Sequence, residues 1–356
     1  MSWYITMTLG ALWYICRKLK EAGVPKFLLN VFVLLIIFCL AMGYETQFDF
    51  EMAEYDIFPF HFSEIVRAVN LNVIIITLYG FLSFFGVSLI TRFRAFTKRK
   101  AACAVVLMII VTGYSMFEAY YVQPRYVTIP TSKLPEGTDR IRIVFMADIH
   151  IGGLYTLKHF ERVMKIVDDE KPDILLLGGD TLDGDMSCRK RELEMLKEAA
   201  GKARYGAFAV NGNHEHYIIL DVDVEGIIRE CGYDLLINER REAAGITILG
   251  LEDIHYGWIR PYLEPEDAER FVLVLKHRPG VPEDAEGRFD LMLSGHTHGG
   301  QFWPLGYFKN MALNSVQGLS KKAGGYVYVS NGVGFNQAMM RLFVLPEVTV
   351  IDIVRE

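Results

Sequence analysis

The sequence predicts an α/β domain behind an all-helical, apolar N-terminal region. Five short apolar runs each end in a cluster of Asp, His or Asn. Helix-patterned stretches lie between them. In front of both stand three or four apolar stretches within about the first 120 residues.

The front comes first. The 356-residue chain is 51% hydrophobic and 22% charged, and its mean hydropathy is positive. The apolar excess sits before residue 125. Phe27–Met42 is apolar but for Asn30, Leu71–Ile90 carries no charge, and Ala101–Tyr120 carries only Glu118. Ser2–Cys16 is shorter and uncharged. A helix needs ~20 residues to cross a bilayer, within a range of ~17–25. Leu71–Ile90 and Ala101–Tyr120 meet that length, Phe27–Met42 meets it with its flanks, and Ser2–Cys16 is marginal. A single such stretch can be a buried core helix. Several in succession, with no soluble structure between them, point to an integral membrane protein of a plasma or inner membrane. The leading stretch lacks the basic start and small-residue cleavage site of a secretory signal.

The loops predict orientation. Arg17, Lys18, Lys20 and Lys26 fall in one, and Arg92, Arg94, Lys98, Arg99 and Lys100 in another. Tyr44–Glu64 holds Glu45, Asp49, Glu51, Glu54, Asp56 and Glu64 with no Lys or Arg. Basic loops stay in the cytoplasm, so Ala101–Tyr120 exits it and the α/β domain is expected outside. The apolar stretches offer no buried charge for a transport path; anchoring is the simpler role. Pro124, Pro130 and Pro135 mark 123–137 as a linker. The expected organisation is a transmembrane region at 1–122, that linker, and the α/β domain at 138–356.

Within the domain, Ile141–Ala147, Asp173–Leu177, Gly206–Val210, Phe271–Leu275 and Phe289–Leu293 read as buried strands. Helical spacing follows at Thr156–Asp169, Lys190–Ala200 and Asp221–Cys231, the last closed by Gly232 as a C′ glycine. Val348–Val354 is a final strand. Each of the five runs leads into a polar cluster. These are Asp148-Ile149-His150; Asp180 with Asp183; Asn213-His214-Glu215; His277; and His296-Thr297-His298. Open α/β sheets collect their sites at strand carboxyl ends, and Gly178, Gly179, Gly212 and Gly295 allow tight turns there. Carboxylate, imidazole and amide oxygens suit Mn, Fe or Zn, and no cysteine lies in the clusters. Singly, Asp148 reads as well as a cap, His277 as a satisfied histidine and Asn213 as a turn residue. Five clusters, each after a strand, do not arise that way. Asp183 reads either as a turn residue or as a support to the ligands, and His216 either as a spectator or as a substrate contact.

In order, D-x-H, G-D-x-x-D, G-N-H-E, H and G-H-x-H resemble the calcineurin-like metallophosphoesterase family over the C-terminal two thirds of the chain. The resemblance implies a two-sheet sandwich flanked by helices (αββα). It implies two divalent ions, one on Asp148, His150, Asp180 and His298, the other on Asp180, Asn213, His277 and His296. It implies a catalytic role for His214, with Glu215 orienting it. Gly299-Gly300-Gln301 and Tyr328–Gly334 resemble the membrane-linked phosphodiesterase branch, which includes enzymes acting on UDP-diacylglucosamine. Arg278 stands where that pattern has Asn, and is either a substrate contact or a solvated charge. Phe302-Trp303-Pro304-Leu305 with Tyr307-Phe308 is an aromatic cluster that either packs in the core or faces the membrane and its substrate, with Trp303 at its centre.

The resemblance therefore predicts a phosphodiester or diphosphate substrate, with a lipid-linked one as a candidate. The alternatives are a phosphomonoesterase or nucleotide hydrolase with a soluble substrate, and a non-catalytic membrane sensor. The sensor fits poorly, since no expected ligand is missing. The formal charge of −6 argues against nucleic acid as a partner. Cys16, Cys39 and Cys103 lie in the apolar stretches. Cys188 and Cys231 lie outside them, where a bridge is permitted and the sequence leaves it open.

Overall fold

A computed structural model describes residues 2–51, 60–153, 157–183, 189–217, 223–253, 258–304, 306, 317–335 and 338–356, with side chains described except at 2–4, 42–51 and 60–67. The chain forms two units, 1–117 with 337–340, and 118–336 with 341–356.

The first unit is built from helices α1 (Ser2–Glu21), α2 (Lys26–Glu51), α3 (Phe60–Ile90) and α4 (Lys98–Tyr120), whose last three residues belong to the second unit. Among the described residues, two segments are long and apolar enough to cross a membrane, Ala68–Ile90 and Lys98–Tyr120, while Lys26–Ala41 is a shorter apolar one. Aromatic contacts tie α1 and α3 together: Tyr14 stands edge-on to Phe81 at 5.3 Å and its hydroxyl donates to Ser88 Oγ at 2.9 Å. Leu34, Leu35 and Phe38 of α2 and Ile109 and Ile110 of α4 are exposed, as lipid-facing side chains would be. Among the described residues the buried charges of these helices are Lys18 and Glu118, both in last turns.

The second unit contains two mixed six-stranded sheets. The first has the order β1 (Gln123–Thr131), β12 (Glu347–Arg355), β2 (Arg140–Met146), β3 (Ile174–Gly178), β4 (Ala207–Val210), β5 (Asp234–Leu235). The second has β10 (Gly318–Lys322), β11 (Gly325–Val329), β9 (Leu291–Ser294), β8 (Val272–Lys276), β7 (Ile246–Leu251), β6 (Glu239–Ala243). Phe145, Leu176 and Phe208 of one sheet and Ile248, Leu273 and Leu293 of the other share a core. Each such buried side chain contributes roughly 1.5–3 kcal/mol. The outer face of the first sheet is covered by α5 (Leu157–Glu170), α6 (Lys190–Ala200) and α8 (Val224–Glu230), through Phe160, Val163, Leu196 and Ile228. A short helix, α7 (Asn213–Tyr217), follows β4.

The expected linker needs correction. Over Gln123–Thr131 it is β1, an edge strand parallel to β12, and α4 ends at Tyr120 just before it. Pro124 and Pro130 are an even number of residues apart, so their missing N–H groups fall on the same side. Gln123, of opposite parity, donates to Pro346, which places the prolines toward the open side. An edge strand tolerates proline there.

The five expected strands form within one or two residues of their predicted bounds. β2, β3 and β4 run parallel, as do β8 and β9, so their carboxyl ends collect at one edge of the sandwich. Gly232 follows α8 at φ 86°. Cys231 is a free, buried thiol; Cys188 lies outside the described residues, as do Leu305, Tyr307 and Phe308.

Candidate metal centre

Asp148 and His150 follow β2, Asp180 follows β3, Asn213 begins α7 after β4, His277 follows β8, and His296 and His298 follow β9. Five of these seven are non-glycine residues with positive φ: Asp148 56°, His150 56°, Asp180 51°, His296 69° and His298 49°. Such backbone costs of order 1–3 kcal/mol per residue and concentrates at functional sites. Close approach is permitted by glycine: a side chain at Gly212 would collide with Asp180, and one at Gly295 with Asp148.

Among the described residues, two groups of the expected ligands form, and a third cluster joins His150 to Asp183 and His214. Asp148, His150 and His298 bring their donor atoms together, and so do Asp180, His277 and His296. In the first, His150 Nε2 lies 3.2 Å from His298 Nε2 and His298 Nε2 lies 3.4 Å from Asp148 Oδ1. In the second, His277 Nε2 lies 3.1 Å from Asp180 Oδ2 and 3.3 Å from His296 Nδ1. The same Asp180 Oδ2 is 4.0 Å from His150 Nε2, so one carboxylate oxygen faces both groups.

The backbone orders these carboxylates. Asp148 accepts the His296 N–H at 2.9 Å, and Asp180 Oδ1 accepts the His214 N–H at 2.9 Å. His277 Nδ1 donates to Gly178 O at 2.8 Å, which aims Nε2 at Asp180 as the atom that a cation would take in place of a proton. Asn213 Oδ1 is buried and accepts no hydrogen bond, a position that an ion would satisfy. Burial lowers the pKa of His277, but the charges of Asp180 and Asp148 outweigh it and raise the imidazole to about 10. That negative potential is what a divalent cation would meet. Burial pushes Asp148 up to about 6, against the pull of His277. The residues therefore fit hard-to-borderline divalent ions.

His214 lies beside the first group, its ring 4.5 Å from that of His150. Its Nδ1 is 3.2 Å from Asp183 Oδ1, and Asp183 Oδ2 is 3.2 Å from His150 Nδ1. Burial opposes charge on His214, yet the hydrogen bond and charge of Asp183 raise it to about 9. Burial alone would raise Asp183, but these two histidines hold it well below the ordinary carboxylate range. Glu215 does not orient His214, contrary to the expectation from resemblance. Its carboxylate accepts four backbone N–H groups, those of Asp180, Thr181, Leu182 and Gly212, at 2.7–3.0 Å. It clamps the β3 turn to the β4 turn, and the partner of His214 is Asp183.

Arg341 belongs to none of the sequence motifs. It is fully buried, donates to Asn331 O at 2.8 Å and to Gly334 O, and approaches His298 Nδ1 at 3.5 Å. Burial lowers its pKa to about 10. Arg278 lies at the end of β8, half exposed, with Nε 3.2 Å from the buried Asp253 Oδ2. Trp303 is half exposed and edge-on to Phe343 at 5.9 Å. His216 pairs with Glu252 at 2.9 Å.

The family profile described as calcineurin-like phosphoesterase matches residues 141–300. An uncharacterized metallophosphoesterase of Aquifex aeolicus is 34% identical over 258 residues, covering 69% of this chain and 97% of its own. A transmembrane protein with metallophosphoesterase domain from Danio rerio is 27% identical over 375 residues, covering 94% of this chain and 82% of its own. A solved dimetal phosphatase from Danio rerio covers 55% of this chain and 88% of its own at 12% identity, with a TM-score of 0.35, too low to bear on function.

Proposed function

Because the chain belongs to the calcineurin-like metallophosphoesterases, a family of metal-dependent hydrolases, we propose that it is a membrane-anchored dimetal enzyme that cleaves a phosphodiester or diphosphate, with a lipid-linked ester as substrate. The observation that carries the reading is Asp180 Oδ2, which faces both histidine groups. A pair of divalent ions, when bound, supplies positive charge to the phosphoryl oxygens and lowers the pKa of an attacking water. Asp148, His150, Asp180 and His298 would hold one; Asp180, Asn213, His277 and His296 would hold the other. His214, protonated by virtue of Asp183, donates a proton to the leaving oxygen, a role worth about 10²–10⁴ in rate. Arg278 and Trp303 flank the approach of the substrate.

The anchoring half of the reading is supported by the two long apolar segments and by the Danio rerio relative's name. The lipid-linked half is supported by the resemblance of Gly299-Gly300-Gln301 and Tyr328–Gly334 to the membrane-linked phosphodiesterase branch. Orientation follows from the basic loops, with the domain outside the cytoplasm. The test is hydrolysis of bis- against mono-p-nitrophenyl phosphate by the full chain in nanodiscs, stripped of metal and resupplied with Mn, Fe or Zn. Metal-dependent turnover favouring the diester is expected. Preference for the monoester would overturn the diester assignment.

A further inference from the structure

We propose that Trp303 and Phe343 form a paired aromatic tip that enters the headgroup region of the membrane and admits lipid-borne phosphoesters to the metal groups. The substrate half of this rests on the function proposed above.

Both rings are presented outward. Trp303 is 49% and Phe343 66% exposed, and they meet edge-on at 69°. Phe343 also holds φ at 60°, a conformation that bulky residues rarely adopt. Its N–H donates to Glu118 Oε2 at 2.9 Å, and Glu118 is buried in the last turn of α4. The tip is thus fixed to the residues that end an apolar span. Two main-chain links tie its halves together: Leu342 N–H donates to Gln301 O at 3.0 Å, and Phe302 bridges Leu342. Behind it, Arg341 reaches the His298 carbonyl at 3.5 Å. The tip and the last metal ligands therefore form one connected segment.

The occupant is named by the surrounding chemistry. Tyr114, Phe117 and Tyr121, around the end of α4, are 46%, 61% and 53% exposed. Aromatic rings at the end of an apolar helix mark the boundary between acyl chains and headgroups, where one face is apolar and the other wet. Phe343 is tied to that helix end through Glu118, and Trp303 to Phe343. An ester whose phosphate lies at headgroup depth is the substrate that such a tip would bring to the site.

The experiment uses the full chain in nanodiscs. Trp303 emission is isolated as the wild-type signal minus that of Trp303→Phe. Lipids brominated near the headgroup should quench it while aqueous iodide does not. Quenching by iodide alone would overturn the proposal, and so would shielding from both, which would mean that protein covers the tip. Phe343→Asp should weaken the lipid quenching. It should also lower turnover of a vesicle-embedded diester roughly ten-fold, the equivalent of about two buried methylenes, and leave a soluble diester unaffected. Phe343→Leu should restore the embedded reaction. Equal loss on both substrates would overturn the admitting role. Lipid quenching of Trp303 in a chain that hydrolyses soluble but no lipid-borne ester would overturn the substrate assignment and leave the diester reading standing.

Discussion

Asp183 stands between two histidines, its Oδ1 3.2 Å from His214 Nδ1 and its Oδ2 3.2 Å from His150 Nδ1. One carboxylate thus stands against the proposed proton donor and an expected metal ligand together. At His214 its hydrogen bond and charge favour the protonated ring.

Asp183→Asn should therefore lower kcat by about 10²-fold or more, the loss expected when an acid is held in the wrong tautomer. His214 acts as a donor while protonated, so turnover should fall as pH rises through about 9. That limb should move to lower pH in Asp183→Asn, because the charge that raises His214 is gone. A kcat–pH profile with an unmoved basic limb would count against the pairing.

Asp180→Ala should remove both metals together, since its Oδ2 faces both groups. Elemental analysis of the purified full chain decides this. Two tightly held equivalents with near-normal activity would refute the shared role.

Arg341→Ala should destabilise the catalytic unit and weaken metal binding around His298. The substitution leaves the buried carbonyls of Asn331 and Gly334 without this donor, at a cost of about 1–3 kcal/mol for each group left unsatisfied. A lower Tm and a raised Kd for Mn, both partly restored in Arg341→Lys, are expected. Unchanged metal affinity in Arg341→Ala would reduce the residue to a purely structural one.

His159 supplies a pH-dependent term outside the metal groups. It is buried in α5, with Nε2 donating to Val333 O at 3.2 Å, and burial lowers its pKa to about 4. The unfolded chain takes up a proton near pH 6.5 that the folded one refuses until about 4. Stability is therefore present above 6.5 and lost as pH falls toward 4, by up to ~1.4 kcal/mol per unit. His159→Phe should flatten the change in Tm between pH 7 and 5. An equal slope in wild type and variant would refute it.

An alkaline phosphatase fused after Glu356 should be active, because the basic loops hold their side of the membrane in the cytoplasm. A silent phosphatase beside a bright cytoplasmic fluorescent fusion would reverse the orientation.

The strand runs, the apolar helices and the identity of the five clusters are legible in the amino-acid order, because each is encoded locally. Strand ends such as Met146–Asp148 and Leu275–His277 announce themselves by a change from apolar to ligand residues within a few positions. Which side chains act together depends on the folded chain. Glu215 adjoins His214 in sequence, yet its carboxylate turns to the N–H groups of Asp180–Leu182, while Asp183, thirty-one positions away, takes the histidine. Arg341 carries no motif, and its meaning comes from carbonyls of the 331–334 turn. The prolines of 123–131 signal a break in any isolated reading. They fit an edge strand only because β12 arrives from the far end of the chain to pair on the one side that keeps its N–H groups. Long-range pairing and burial set these relationships, and no local pattern of residues encodes them.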